Sequence, residues 1–437
     1  MSQPAPRQSA VRTALAGLIG NVLEWFDFAV FGFFAKTIGM HFMPDDDPTI
    51  SALFGYLVLL VGFIARPAGS IVLGLVGDRI GRRALLTVSI ALMGVATLGI
   101  GLLPAYDTIG VAAPILLIVF RLMQGFSLGG EFTGSMVYTT EHASPLMRGL
   151  VSSSTAAGTT LGFILGSFAT YLVERGLGPV EAQAWGWRIP FIASITLCIA
   201  GWFLRKGIHE SEAGEKAAGE AAIGKGVTAW LSEGIRAALR SLVVDWKPIV
   251  QTFGIVALTN AAYYLVFTFA VDQRKEVTNA VASDFQLVNT LSLFVVLFAK
   301  PLGGWLSDKM GRRRLMIILQ IVAMAAVVPA VHIMKHGSTT TFMLGQILLA
   351  VPLGMALGLQ GAMVVEIFPL RSRVTSMSIA YSITLAIAGG AAPLVSKWLI
   401  AELHDPLAPA YYALIYGVIG LVIMARMRET NTRSLNE

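Results

Sequence analysis

Runs of about 20 mostly apolar residues recur twelve times along this chain, and this recurrence constrains the fold more than any single motif. The runs cover approximately residues 14–38, 51–77, 83–103, 109–137, 148–173, 187–205, 248–271, 285–307, 314–334, 341–365, 374–399 and 409–426. A soluble core has no room for them. Of the 437 residues 55% are hydrophobic and 13% charged, whereas soluble domains carry about twice that share of charge. Inside hydrocarbon a helix satisfies its own backbone polar groups. The sequence therefore predicts an all-α membrane protein with twelve transmembrane helices. The first run follows Arg7 and Arg12, as the core of a signal peptide would. It is read as a span instead, because it is about twice the length of a signal core and carries Glu24 and Asp27.

Charge placement gives an orientation. With both termini cytoplasmic, 22 of the 32 lysines and arginines fall in tails or cytoplasmic loops. Six (Arg175, Arg188, Arg274, Lys275, Lys335 and Lys397) fall outside, and four (Lys36, Arg66, Arg121 and Lys300) lie within helices. Cytoplasmic termini are expected from this asymmetry, in a bacterial inner membrane. The net charge of +6 is accounted for in the same way, so no nucleic-acid partner is expected. The one cysteine, Cys198, lies inside an apolar run and leaves no disulfide framework or cysteine metal site. There is no nucleotide-binding loop, no Ser–His–acid set and no metal spacing, so neither an enzyme nor an ATP-driven pump is expected, and no cofactor.

The chain repeats itself. Gly74-Leu-Val-Gly-Asp78-Arg79-Ile-Gly81-Arg82-Arg83 returns 230 residues later as Gly304-Trp-Leu-Ser-Asp308-Lys309-Met-Gly311-Arg312-Arg313. Glu141 and Pro145-Leu-Met-Arg148 are echoed by Glu366 and Pro369-Leu-Arg371. Two parallel repeats imply two six-helix bundles related by an axis along the membrane normal. The expected division is residues 1–206, a cytoplasmic linker 207–247, and 248–437. Within the linker, the stretch to about Gly226 reads as flexible, and Trp230 to Leu242 as a short surface helix. In the repeated loop, glycine permits a tight turn and the aspartate sits at a helix end, able to pair with arginines or with a neighbouring helix N-terminus. Asp78, Arg79, Arg82, Asp308 and Arg312 are therefore expected to latch a gate.

With these loops, the chain resembles the major facilitator superfamily and, within it, the metabolite:proton symporters. The resemblance runs through Gly20-Asn21-Val-Leu-Glu24-Trp25-Phe26-Asp27-Phe28, Arg66-Pro67, Arg121-Leu-Met-Gln124-Gly125-Phe-Ser-Leu-Gly129-Gly130-Glu131 and Trp185-Gly-Trp187-Arg188-Ile-Pro190-Phe191. The proline/glycine-betaine branch shares Tyr106-Asp107-Thr108-Ile109-Gly110, Thr259-Asn260 with Tyr263-Tyr264, and Pro409-Ala410-Tyr411-Tyr412. That branch looks to carry lysine where this chain has Arg121, while the citrate and α-ketoglutarate permeases carry arginine. The resemblance implies proton-coupled uptake of a small carboxylate-bearing solute by alternating access. It leaves open whether that solute is an organic acid or a zwitterionic osmolyte.

Charges at mid-membrane depth are costly and mark function. Glu24 and Asp27 lie three residues apart on one helix face, near mid-depth, as does Arg121. Arg121 is expected to clamp a substrate carboxylate, with Gln124 and Trp25 nearby, and Asp27 or Glu24 to carry the proton. A structural salt bridge between the two helices is the plainer reading. Glu131, deeper toward the cytoplasm, is a candidate proton relay or a partner for Arg66 or Arg148. Arg66 and Lys300 each precede a proline and are expected to bolt the cytoplasmic gate. Asn260, Tyr263 and Tyr264 would offer hydroxyls and a cation–π face to an ammonium group, or simply pack. Gly158, Gly162 and Gly166 form a close-packing stripe, and Phe163 after Gly162 lacks the Gly-Pro pair of drug antiporters. The expected partners are thus protons, the solute and the lipid bilayer, with the monomer as the working unit. A proton-coupled antiporter and a non-transporting membrane sensor are the competing readings.

Overall fold

The computed structural model describes residues 10–43, 45, 47–80, 82–206, 227–277, 282–335, 338–370, 372–431 and 435. The side chains of the predicted latch residues Asp78, Arg79 and Arg82 lie outside the described residues, as does the linker stretch expected to be flexible.

The first half contains α1 (Ala10–Phe33), α2 (Ala35–Phe42), α3 (Pro48–Ile80), α4 (Arg82–Leu102), α5 (Tyr106–Ile109), α6 (Ala112–Ser127), α7 (Glu131–Glu141), α8 (Arg148–Glu181) and α9 (Arg188–Lys206). The linker stretch expected to form a short helix is helical, as α10 (Val227–Val244). The second half contains α11 (Trp246–Tyr264), α12 (Ala270–Val277), α13 (Ala282–Met310), α14 (Arg312–Lys335), α15 (Thr339–Ile367), α16 (Arg373–Thr384), α17 (Ala392–Leu403) and α18 (Ala408–Ala425). Nine of the helical stretches among the described residues are long and apolar enough to cross a membrane, and Val88–Leu102 and Arg188–Ala200 are shorter apolar helices.

Several runs read as single spans are jointed. The fourth breaks at Gly130, whose φ of 91° lies in the left-handed region, so that α7 restarts at Glu131. In the second half, π-helical turns at Leu265–Phe269 and Leu385–Gly390 join α11 to α12 and α16 to α17. Such turns gather at functional sites, and here Tyr263 and Tyr264 directly precede one of them.

Small residues set the spacing of the helices around the site. A methyl group built on Gly158 would lie 2.3 Å from the Leu18 carbonyl oxygen, and one on Gly162 2.6 Å from that of Val22. The glycine stripe of α8 thus lets α1 approach at backbone distance, as expected. A methyl group on Gly125 of α6 would likewise overlap the Gly62 carbonyl oxygen of α3. The halves meet along two main seams, α8 against α13 and α3 against α16. Exchanging the repeats maps these seams onto each other. The linker helix α10 touches both α3 and α16.

Candidate functional site

Between the halves lies a cavity walled by Trp25, Phe132 and Phe163 from the first half and by Tyr263, Tyr264 and Tyr381 from the second. Its polar lining is Thr159, Asn260, Lys300 and Gln360. The rings pack edge to face: Phe163 on Tyr263 at 5.2 Å, Phe132 on Tyr381 at 5.3 Å, and Trp25 on Phe132 at 5.5 Å. Lys300 is 2% exposed; its Nζ donates to the Ala156 carbonyl at 2.5 Å and to Thr159 Oγ1 at 3.2 Å, reaching across from the second half to the first. Gln360 donates to the Tyr381 hydroxyl at 2.7 Å and accepts from Thr259 Oγ1 at 3.0 Å. The Tyr264 hydroxyl and Trp25 Nε1 are buried with no hydrogen-bond partner among the described residues. These are groups that a polar solute can satisfy.

Of the predicted site residues, Trp25, Asn260, Tyr263, Tyr264 and Lys300 line this cavity, and Arg121 does not. The fully buried Arg121 guanidinium stacks on Phe28 at 4.4 Å and on Phe31 at 4.1 Å, with room left by Gly62. Its Nη1 donates to Gln124 Oε1 at 2.8 Å. Gln124 Nε2 donates to Thr97 Oγ1 at 2.7 Å, and Thr97 donates to Asp27 Oδ2 at 2.6 Å. Arg121 and Asp27 are therefore joined through two neutral side chains, every donor aimed toward the carboxylate, rather than by a direct salt bridge. Arg66, 4% exposed, sits over Trp25, Phe28 and Phe63 at 4.5–4.8 Å. It forms part of the floor beneath the central aromatics.

Glu24, Asp27 and Glu131 line a second cavity, inside the first half, with Ser89, Ser127, Ser194 and Cys198. The sequence grouping of the three carboxylates is thus also a spatial one. Ser194 and Cys198 belong to α9, and only their place in an apolar run marks them in the sequence.

Contacts between the halves close both ends of the central cavity. At the loop end, Asp308 Oδ1 and Oδ2 accept from the Gly149 and Leu150 amides at 2.8 and 2.9 Å, at the N-terminus of α8. Arg312 holds Asp308 at 2.9 Å and Glu366 at 2.7 Å. Arg373 pairs with Glu141 across the halves at 2.6 Å. Glu429, from the chain's tail, accepts from the amides of Arg312, Arg313, Thr430 and Asn431. Burial pushes its carboxyl upward, but these four donors outweigh that and hold it below its usual range. At the opposite end Tyr56 donates to Asp272, and Ser167 meets Gln286 Nε2 at 2.8 Å and Thr290 Oγ1 at 2.7 Å.

Sequence reasoning missed Thr97, Phe163 as a wall residue, Gln360 and Tyr381. The first is an ordinary threonine in an apolar run. Gln360 and Tyr381 carry a weak signal, as polar groups at mid-depth in α15 and α16.

The sugar (and other) transporter family profile matches residues 13–437. A proline/betaine transporter of Salmonella typhimurium is 32% identical over 421 residues, 96% of this chain and 84% of that protein. A citrate-proton symporter of Klebsiella pneumoniae is 33% identical over 404 residues, 92% of this chain and 88% of its own. Among solved structures, the xylose transporter XylE from E. coli, in a partially occluded inward-open conformation, superposes with a TM-score of 0.74 at 17% identity, covering 98% of this chain and 100% of that one.

Proposed function

We propose that this chain, which belongs to the sugar (and other) transporter family of the major facilitator superfamily, is a proton-coupled symporter for a small zwitterionic solute. On this reading twelve helices form two six-helix bundles, residues 1–206 and 248–437, joined by the linker 207–247. Both termini face the cytoplasm, the membrane is the bacterial inner membrane, and the monomer is the working unit. The loop end described above is then the cytoplasmic gate, with Asp308 and Arg312 as its latch in the second half and Asp78, Arg79 and Arg82 in the first.

The carrying observation is the central cavity, aromatic on both sides, with Lys300 as the cation in its described lining. An ammonium group finds the ring faces of Trp25, Tyr263, Tyr264 and Tyr381. A carboxylate finds Lys300, Asn260 and Gln360. A tricarboxylate would bring three charges to one lysine in an apolar chamber, which desolvation disfavours. Between the substrates named for its relatives, proline/betaine and citrate, the chamber therefore suits the zwitterion.

Coupling follows from the buried relay. With Asp27 ionised, Thr97, Gln124 and Arg121 are drawn into one polarised string ending on its Oδ2. Protonation removes the charge at the end of that string and frees the helices α1, α4 and α6 to shift relative to one another. Such a shift is transmitted to the central cavity through Phe28, on which both Arg121 and Arg66 stack. The proton thus biases α1, which also walls the central cavity through Trp25.

The test is uptake into proteoliposomes under an imposed pH gradient, inside alkaline, with labelled proline, glycine betaine and citrate in turn. Acid-driven accumulation of proline or betaine is expected, with citrate near background. Citrate accumulation without either zwitterion would overturn the substrate assignment. Zwitterion uptake indifferent to the gradient would overturn the coupling.

A further inference from the structure

The two cavities share no lining residue, yet they are separated by little more than one helix turn of α1 and of α7. Consecutive residues divide between them. Glu24 faces the cavity inside the first half and Trp25 the central one; Glu131 faces the former and Phe132 the latter. Neighbours on an α-helix point about 100° apart, so each helix acts as a partition. Every carboxylate in this region falls on one side of that partition and every aromatic wall residue on the other.

The cavity inside the first half also has direction. It reaches from Asp27 to Ser89, which lies seven residues into α4 and so about 10 Å from the loop end of that helix. Glu131 stands between, at the first residue of α7. Asp27 is 2% exposed; its Oδ2 accepts from Thr97, Oδ1 makes no hydrogen bond of good geometry, Ser194 of α9 stands beside the carboxylate, and the side chain borders this cavity. The charged groups facing Asp27 are Glu24 on its own helix, Glu131 on α7 and, through Gln124 and Thr97, Arg121 on α6.

Resting on the symport reading above, we propose that the proton leaves Asp27 for the loop end through this cavity, by way of Glu131, and not through the chamber that holds the solute. In the outgoing step the O–H bond at Asp27 Oδ1 breaks, the proton passes by water to a Glu131 carboxylate oxygen, and from there to water at the loop end. Asp27 is left as the carboxylate that the Thr97 string requires. Proton and solute then have separate exits, and the proton's does not require Asp308 to release α8.

Cys198, the only cysteine of the chain, lines this cavity and is absent from the lining of the central one. A thiol reagent on the unaltered protein therefore tests the route. Reconstituted protein is treated with benzyl methanethiosulfonate, attachment is counted by mass spectrometry, and two fluxes are read: uptake driven by a pH gradient, and counterflow of labelled against unlabelled proline. One benzyl group per chain should cut pH-driven uptake on the order of tenfold, with counterflow nearly unchanged. Glu131→Gln should give the same split without any reagent. The route is overturned by full attachment with unchanged pH-driven uptake, by equal loss of both fluxes in the treated protein and in Glu131→Gln, or by a Cys198 that stays unlabelled at every pH. Untreated protein that performs counterflow but no pH-driven uptake would instead sink the symport reading, and this route with it.

Discussion

The two halves share a repeat and a packing plan, but they furnish their buried interiors differently. The first half buries Glu24, Asp27, Arg66 and Arg121, each 4% exposed or less, with Glu131 partly buried beside them. At comparable depth the second half buries amides: Asn260, Asn289, Gln320, Gln346 and Gln360. Gln346 donates to Asn289 at 2.8 Å and to the Val266 carbonyl at 3.1 Å, and Gln320 to the Gly254 carbonyl at 2.9 Å. Amides pair in place and do not titrate, whereas carboxylates change charge when a proton arrives. One scaffold therefore holds a half suited to sensing the proton and a half suited to holding a solute. Lys300 is the exception on the second side, and it points at the seam. The halves share a sequence repeat and differ in which buried positions carry charge.

The strongest way to break this comparison is to neutralise the carboxylate at the end of the string. Asp27→Asn keeps the shape and can still accept from Thr97. It should lower pH-driven uptake on the order of 100-fold, the scale set by losing an obligatory proton-transfer group, while counterflow persists. Retention of gradient-driven uptake in the variant would place the proton carrier outside the first half.

A smaller effect should come from the second half. Lys300→Gln leaves the volume nearly unchanged and removes the charge. Losing one charge-assisted hydrogen bond costs about 1.5–3 kcal/mol, so KM for a zwitterion should rise about 10- to 100-fold, with the pH dependence of uptake kept. If the pH profile moves and KM does not, the division between the halves is wrong at this residue and Lys300 belongs to the proton's path.

Much of this was legible in the sequence, for physical reasons. Hydrocarbon forces long helices, so the all-helical plan and the repeat could be read directly. The buried charges were legible because a carboxylate or guanidinium in an apolar run has no cheap explanation. Their connection was not. Arg121 and Asp27 were expected near one another, and they are, but the sequence cannot reveal that Thr97 and Gln124 stand between them. Such bridges depend on the rotation of α4 against α1 and α6, at contacts such as Gly99 of α4 against the Phe120 ring of α6. Lys300 was read as a gate bolt from its place before Pro301; its contacts with Ala156 and Thr159 cross the seam beside the chamber, where a bolt and a ligand use the same donor. The joint at Gly130 was equally hidden, since a glycine in a membrane helix is ordinary until its φ is known.

The smallest effect concerns the latch of the second half. Glu429 ties the tail to the start of α14, its Oε1 2.7 Å from the Arg312 amide and 3.2 Å from that of Arg313. Arg312 in turn holds Asp308 and Glu366. A carboxylate at a helix N-terminus is stabilising through those free amides. Because the folded state holds Glu429 below its usual range, its contribution is present above the ordinary carboxylate pKa and is lost as the pH falls through the lowered one. Glu429→Gln should therefore lower the melting temperature at neutral pH. The carboxylate is partly exposed, so screening limits the cost to about 1 kcal/mol or less, which is about 2 °C or less for a chain of this size. The difference between variant and parent should shrink as the pH is brought to about 3, below the ordinary Glu pKa of about 4.3. Thermal unfolding in detergent at the two pH values measures it. An equal difference at both would mean that the tail is held by packing and not by the charge of Glu429. The second half's latch would then have no electrostatic anchor in the tail, and its loop would rest on the α8 amides and the Arg312 pairs alone.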